Sequence, residues 1–390
     1  MMQKIYNSKE EIDTSTLRAF AEINLTNFKH NINVISKMID DDCDIVGVVK
    51  ANAYGHGAIQ VATYFESLGI KYFAVACIEE GIELRKAGIK GEIIILGYTP
   101  VCLKDELIKY DFTQALINEE YAEELNKLPG IVKCHIALNT GMNRIGETRE
   151  NLDNIKRMYT LENIKITGIF SHLCRADSEE EVDILFTRKQ IENYDYIINE
   201  LEKENIDLGK THLQNSYGIT SYRDIHRDLA RPGIILYGVP CDPCDTILSK
   251  FPQEEQFKPV MSLRCKVAMV KDVDAGENIG YGNNFTTTEP MKIATITIGY
   301  ADGFSRAVSK KDFKVLVNGQ YGRIVGNVCM DQTMIDVSNI NNVKEGDIVT
   351  LFGQDGEHYL PVNQVSELSN TITNETLSCI GSRVTRVYHL

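Results

Sequence analysis

A lysine at the mouth of a buried strand is the most reactive group this sequence offers. In residues 45–58, I-V-G-V-V-K-A-N-A-Y-G-H-G-A, the β-branched Val46, Val48 and Val49 predict a core strand that delivers Lys50 just before a turn containing glycine and histidine. Burial disfavours an ammonium and lowers its pKa, so an amine placed there can condense with an aldehyde to a Schiff base. Further on, Arg231-Pro-Gly-Ile234 joins a permanent cation to a glycine whose backbone can approach a ligand closely. Backbone N–H groups suit a phosphate dianion because they are fixed dipoles that do not titrate. His172 and His212 fall at predicted strand ends, where a histidine is a satisfied structural group more often than a catalyst. Tyr281 is flanked by glycines in Ile279-Gly-Tyr-Gly-Asn-Asn-Phe285, which taken alone reads as a β-turn tyrosine.

Groups so far apart in the chain need a scaffold that collects strand ends. From residue 45 onward, β-rich runs at about 45–50, 72–77, 92–97, 113–117, 132–138, 165–171, 211–215 and 233–237 alternate with amphipathic helical runs such as 79–87, 119–128 and 179–203. Eight strand–helix units predict an α/β fold with an N-terminal (β/α)8 TIM-like barrel; a doubly wound open sheet is the other arrangement the pattern allows. A barrel gathers chemistry at the C-terminal ends of its strands. Lys50 ends the first, Arg144 follows the fifth, His172 ends the sixth, Asn215 and Ser216 end the seventh, and residues 231–234 enter the eighth. After Pro259 the texture changes to short alternating strands between Gly, Asn and Asp turns, at 291–300, 314–319, 322–328 and 347–352, which predicts a C-terminal, mostly-β domain. The expected division is a flexible leader at 1–18, the barrel at 19–252 and the β domain at 253–390, with the proline- and acid-containing stretch 241–259 as the linker.

Composition narrows the partners. The hydrophobic fraction is 43% and the charged fraction 25%, as in soluble globular proteins, and the formal net charge of −14 argues against a nucleic-acid or anionic-membrane surface. Ten cysteines without a secreted-scaffold rhythm, and no apolar signal or spanning run, point to a reducing cytoplasm. Cys241-Asp-Pro-Cys244 has no second pair, so no metal site is expected there.

The segment Lys50-Ala-Asn-Ala-Tyr-Gly-His-Gly57 resembles the pyridoxal-phosphate lysine motif of the alanine racemase family, a group of fold-type III enzymes. Four further segments resemble that family in the same order: His135 to Arg144, Arg231 to Gly238, the Gly-Tyr-Gly around Tyr281, and the pair Ile298-Gly-Tyr-Ala-Asp-Gly303 and Val328-Cys-Met-Asp331. The resemblance implies pyridoxal 5'-phosphate held covalently by Lys50, with Tyr54, Ser216, Gly233 and Ile234 around its phosphate, His172 and Asn215 in the cofactor pocket, and Arg231, supported by His212, facing the pyridine nitrogen. It also implies two bases, Lys50 and Tyr281, with Tyr281 crossing into a second subunit's barrel. Met330, Asp331 and Tyr300 would line that partner's pocket and entrance, and Arg144 the substrate side. The implied assembly is a homodimer with shared active sites acting on a small amino acid. Arginine only donates hydrogen bonds, so the facing ring nitrogen would stay unprotonated and be a weaker electron sink, which favours proton return over decarboxylation. The β domain and Tyr281 argue against a non-catalytic carrier built on the same barrel, and Arg231 argues against a decarboxylase.

Two departures bear on the substrate. Where the family often has a lysine whose carbamate braces the substrate-side arginine, this chain has Ala137, and Asn139 stands in place of an aspartate, so Arg144 must be held by Asn139, by an anion or by another group. In Thr373-Asn-Glu-Thr-Leu-Ser378, Asn374 replaces the tyrosine that crowds the substrate side chain. That change resembles the racemase domains of membrane-anchored serine/alanine racemases of vancomycin-resistance clusters, and implies L-serine as well as L-alanine as substrate and D-serine for peptidoglycan precursors. An ordinary housekeeping alanine racemase is the alternative. The polar opening with its doubled methionine is consistent with the cytoplasmic part of such an anchored protein.

Overall fold

In the computed structural model the described residues are 13–242 and 247–390. Strand β1 (Ala19–Asn24) comes first, and then eight parallel strands close a barrel: β2 (Asp44–Val48), β3 (Tyr72–Val75), β4 (Glu92–Ile95), β5 (Phe112–Leu116), β6 (Val132–Ala137), β7 (Ile164–Phe170), β8 (Lys210–His212) and β9 (Leu229–Ala230). Asp44 and Ile45 pair with Leu229 and Ala230 to complete the ring. The expected barrel is therefore present, and helices separate its strands as the periodicity predicts. The helix Glu119–Lys127 shows why: Asn118 caps its first turn by accepting from the Tyr121 amide at 2.9 Å, Glu119 and Glu120 face the positive end of its dipole, and Lys127 faces the negative end.

The eighth strand differs from expectation. Residues 233–237 read as a buried strand, but Ile234–Tyr237 form a 3-10 helix, and the strand is the two-residue β9 just before them. Arg231 thus leaves the last strand instead of entering it. A short apolar run has no periodicity that separates a strand from a buried helical turn, and Pro232 has no N–H to donate to a neighbouring strand.

The β domain comprises β10 (Met261–Val273), β11 (Met291–Ile296), β12 (Lys314–Val317), β13 (Gln320–Ile324), β14 (Thr333–Asp336), β15 (Ile348–Asp355), β16 (His358–Leu360) and β17 (Thr385–His389). The sheet runs β16-β15-β12-β13-β14-β11-β10-β1-β17. Its inclusion of β1 corrects the expected boundary at residue 19. Ala19–Asn24 pair antiparallel with β10 and parallel with β17, so this stretch belongs to the C-terminal sheet, and Asn24 then caps the helix Leu25–Ser36 that begins the path into the barrel. The alternation in A-F-A-E-I-N fits a strand, but its partners lie more than two hundred residues away, where local patterning gives no sign of them. Of the Cys241/Cys244 pair, Cys244 lies outside the described residues. Among the described residues no group of His, Cys, Asp or Glu is arranged to hold a metal, and no helix is long and apolar enough to cross a membrane.

Candidate active site

The turn after β2 is unusual. Ala51, Asn52, Ala53 and Tyr54 all have positive φ, between 49° and 53°, so the chain makes one left-handed turn directly after Lys50. Each such residue costs roughly 1–2 kcal/mol in L-amino acids, so the turn persists only because its surroundings hold it. Internal bonds run from the Ala53 amide to Val49 O (2.8 Å), from Gly55 to Ala51 O (3.0 Å) and from Gly57 to Asn52 O (2.9 Å). From the barrel side, one Glu80 carboxylate accepts from the Ala51 amide at 2.6 Å and the Ala76 amide at 2.7 Å. Glu80 was hidden from sequence reasoning because two adjacent glutamates in a helix's first turn look like ordinary dipole partners.

Lys50, Tyr54, Arg144, His172, Asn215, Ser216, Arg231, Gly233, Ile234 and Asn374 all line one cleft of about 610 Å³ at the barrel mouth. Burial is the main reason the Lys50 amine is pushed below its ordinary pKa, with the Arg144 guanidinium adding to it and Glu80 opposing. At one wall the Gly233 amide donates to Ser216 Oγ at 2.9 Å, and a Cβ on Gly233 would stand 2.7 Å from Tyr54 Oη. Asn215 caps the short helix beginning at Ser216 by accepting from the Gly218 amide (2.9 Å), while its Nδ2 donates to Leu173 O (2.8 Å) and faces His172 Nε2 at 3.4 Å.

Arg231 is buried and deeply anchored. Its Nη2 donates to Ser171 O at 2.5 Å, and its Nη1 donates to His212 Nδ1 at 2.5 Å. Because arginine can only donate, His212 Nδ1 must accept, which leaves Nε2 to donate to His135 Nδ1 at 2.8 Å. Gly168 makes room for this stack, since a Cβ there would lie 2.6 Å from His135 Nε2. Phe170 stacks on His212 with centroids 5.0 Å apart. Burial and the neighbouring Arg231 hold both His172 and His212 well below the ordinary imidazole pKa, so both are neutral, and the bond from Arg231 fixes the tautomer of His212. Arg231 itself is lowered to about 10, chiefly by burial, and remains a cation at neutral pH. His135 carried no role in the sequence reading; its signal is an imidazole on a strand between apolar neighbours.

Four expected site residues are not in this cleft. Tyr281 (72% exposed), Tyr300 (42%), Met330 (53%) and Asp331 form a separate outward surface on the β domain. The Tyr300 amide bonds to Cys329 O, the Ala301 amide to Met330 O, and Asn327 Nδ2 donates to Tyr281 O at 2.6 Å. Gly280 and Gly282, at φ 74° and 79°, supply the left-handed backbone that turns Tyr281 outward. Asn139 does not brace Arg144: it folds its own loop, accepting from the amides of Gly141 and Asn143 and donating to Asn143 Oδ1. Ala137 sits in an apolar group with Ala115 and Phe170.

Residues 23–240 match the family description "Alanine racemase, N-terminal domain", and residues 260–388 match "Alanine racemase, C-terminal domain". The chain belongs to the alanine racemase family. It is 39% identical over 376 residues to alanine racemase 1 of Clostridium acetobutylicum, covering 95% of each chain. It is 41% identical over 387 residues to an amino-acid racemase of Enterococcus faecalis, with 98% of this chain matched to 53% of that protein, so the chain spans about half the length of that relative. The alanine racemase structure from Clostridium difficile 630 superposes with a TM-score of 0.87 at 38% identity, covering 96% of both chains. Alanine racemases are isomerases that use pyridoxal 5'-phosphate. The cleft fits that cofactor: a lysine amine with depressed basicity at one end, a side-chain-free Gly233 wall with the Ser216 and Tyr54 hydroxyls for a phosphate, and a buried cation opposite.

Proposed function

We propose that this chain is an amino-acid racemase that interconverts the L and D forms of serine and alanine, working as a homodimer in which each site draws residues from both copies. The single observation behind this is the division of the reacting groups: Lys50 lies in the cleft, whereas Tyr281 is exposed on the β domain of the same chain. Racemisation needs a proton removed from one face of the α-carbon and another delivered to the opposite face. Lys50, with its depressed pKa, handles one face, and Tyr281 of a second copy handles the other. Bound between them, the cofactor supplies the electron-accepting ring that makes the α-proton acidic. Arg231, anchored on His212 and Ser171 O, can only donate and would keep the ring's nitrogen in an acceptor role, while Gly233, Ile234, Ser216 and Tyr54 would hold the phosphate. Arg144 offers a guanidinium to a substrate carboxylate, and Tyr300, Met330 and Asp331 of the second copy close the entrance.

Serine is included as a substrate because Asn374, a short amide where the family resemblance places a bulkier tyrosine, lines the cleft. A side chain of that size leaves room for a β-substituent and carries both a donor and an acceptor for a hydroxyl, which a methyl group does not need. The E. faecalis relative's broader name, amino-acid racemase, accords with this. Supply of D-serine to peptidoglycan precursors in vancomycin resistance rests on the Asn374 resemblance alone. The test mixes two inactive variants, Lys50→Ala and Tyr281→Phe. After subunit exchange, a mixed dimer has one site with both bases intact, so activity returns; exchange demonstrated by mass without any return of activity sinks the shared-site reading.

A further inference from the structure

The turn carrying Lys50 is gripped from the β domain as well as from the barrel. Arg386, on β17, is buried, and among the described residues no carboxylate pairs with it. Its Nε donates to Gly55 O (2.8 Å), its Nη1 to Gly381 O (2.6 Å) and Val384 O (2.7 Å), and its Nη2 to Ile380 O (2.5 Å). A buried arginine satisfied wholly by carbonyl oxygens serves the backbone it touches, because no ion pair accounts for it. Two loops meet on it: the end of the left-handed turn, and the loop that follows the helix Thr373–Ser378, which bears Asn374. Two neighbours tighten the same seam. Tyr388 Oη donates to His56 O at 2.9 Å, and a Cβ on Gly55 would stand 2.1 Å from Leu377 O, so the turn lies flush against that helix.

We propose that Arg386 is a positioning residue for Lys50, fixing the amine by holding the far end of its turn while Glu80 holds the near end. A strained left-handed turn relaxes once an end is free, and Lys50 immediately precedes it, so relaxation swings the amine away from the α-carbon. The same side chain ties the position of the base to that of Asn374, so base and side-chain selector move as one body. The Lys50 part of this rests on the racemase reading; the hold on the turn does not.

The experiment compares the cofactor-loaded enzyme with Arg386→Lys, which keeps the charge but not the fork, and Arg386→Met, which keeps only the stem. Hydrogen exchange at the Gly55 and Gly57 amides should speed up by about tenfold or more in Arg386→Met, with the amides of β2 unchanged. Turnover should fall roughly 10- to 100-fold with little change in KM, as a misplaced base predicts. The α-deuterium isotope effect should rise for one enantiomer only, the one whose proton Lys50 removes, with Arg386→Lys intermediate. A merely structural role lowers the active fraction and leaves both isotope effects alone. Unchanged exchange at Gly55 and Gly57 overturns the hold on the turn, and faster exchange with unaltered turnover and isotope effects overturns the positioning of Lys50. If both variants fail to fold, Tyr388→Phe removes the bond to His56 O together with a longer one to Gln60 Oε1 at 3.3 Å and is read the same way, unchanged exchange and isotope effects counting against the proposal. An unaltered enzyme that turns over neither enantiomer would instead remove the racemase reading and leave the exchange result to decide the hold on the turn.

Discussion

Gly233→Ala is the substitution that most directly asks whether the cleft wall is a phosphate seat. The new methyl would lie 2.7 Å from Tyr54 Oη and 3.6 Å from Ser216 Oγ, whereas carbon contacts settle at about 3.5–4.0 Å. Tyr54 has little room to yield: its ring packs against Tyr237 with centroids 4.7 Å apart, and Tyr237 is itself pinned to Val48 O at 2.7 Å. The main chain at residue 233 must then retreat by roughly 1 Å, drawing its amide and that of Ile234 away from the phosphate. Hydrogen bonds to a charged group contribute about 1.5–3 kcal/mol each, so weakening one or two of them removes about 2–5 kcal/mol. At about 1.4 kcal/mol per tenfold, the cofactor's Kd should rise by roughly 30- to 4000-fold. Alanine also restricts the unfolded chain, which stabilises the fold by about 0.4–1 kcal/mol and offsets part of the strain. Stability should therefore move far less than affinity. Fluorescence titration of the cofactor-free variant, alongside urea unfolding of the same sample, separates the two. A folded Gly233→Ala protein whose Kd stays within about threefold of the parent would refute the assignment, since that corresponds to less than about 1 kcal/mol.

Three other outcomes follow from the same geometry. Borohydride reduction of the loaded enzyme should fix the cofactor on Lys50, and Lys50→Ala should lose both the adduct and turnover; an adduct on any other lysine removes Lys50 from the mechanism. Asn374→Tyr should lower kcat/KM for L-serine more than for L-alanine by about 1–3 kcal/mol, or roughly 10- to 200-fold, since a widened pocket still admits alanine; initial rates at matched concentrations would show an unchanged or higher serine-to-alanine ratio if Asn374 is not the selector. His56 and His135, both held at about 3 chiefly by burial, are neutral in the fold but charge in the unfolded chain below about pH 6.5. The unfolded chain therefore binds more protons between about pH 6.5 and 3, so stability is full above that window and declines through it as pH falls. Each histidine accounts for about 2 kcal/mol by pH 5, and equal urea midpoints at pH 7 and pH 5 would contradict neutral burial.

The sequence made plain those groups whose chemistry conflicts with their surroundings. Lys50 after three valines and Arg231 before an apolar run stand out because a charge on a core strand needs a reason. The barrel was legible because its strands and helices alternate locally. What stayed hidden depends on distant partners or on ordinary-looking residues. Nothing in A-F-A-E-I-N announces β10 and β17 as its neighbours. Glu80 resembles any first-turn acid, and Arg386 resembles any arginine alternating on an edge strand, until the carbonyls around it are seen. Asn139 misled for a related reason: a short amide at the start of a turn satisfies itself on the backbone of its own loop before it reaches across a cleft.

The placement of β1 between β10 and β17 also sets an order of events during synthesis. The barrel strands can pair as they emerge, since each follows its neighbour by a few tens of residues, but Ala19–Asn24 must wait for residues 261–273 and then 385–389 before its edges are covered. Until then an unpaired apolar strand precedes the barrel in the nascent chain, exposed to non-native pairing with whatever edge it meets. The lysine turn waits as well, because Arg386 and Tyr388 arrive on the same last strand. A ribosome stalled after the barrel would therefore display a closed ring of strands whose Lys50 is not yet set, so the ability to capture the cofactor should appear late and abruptly.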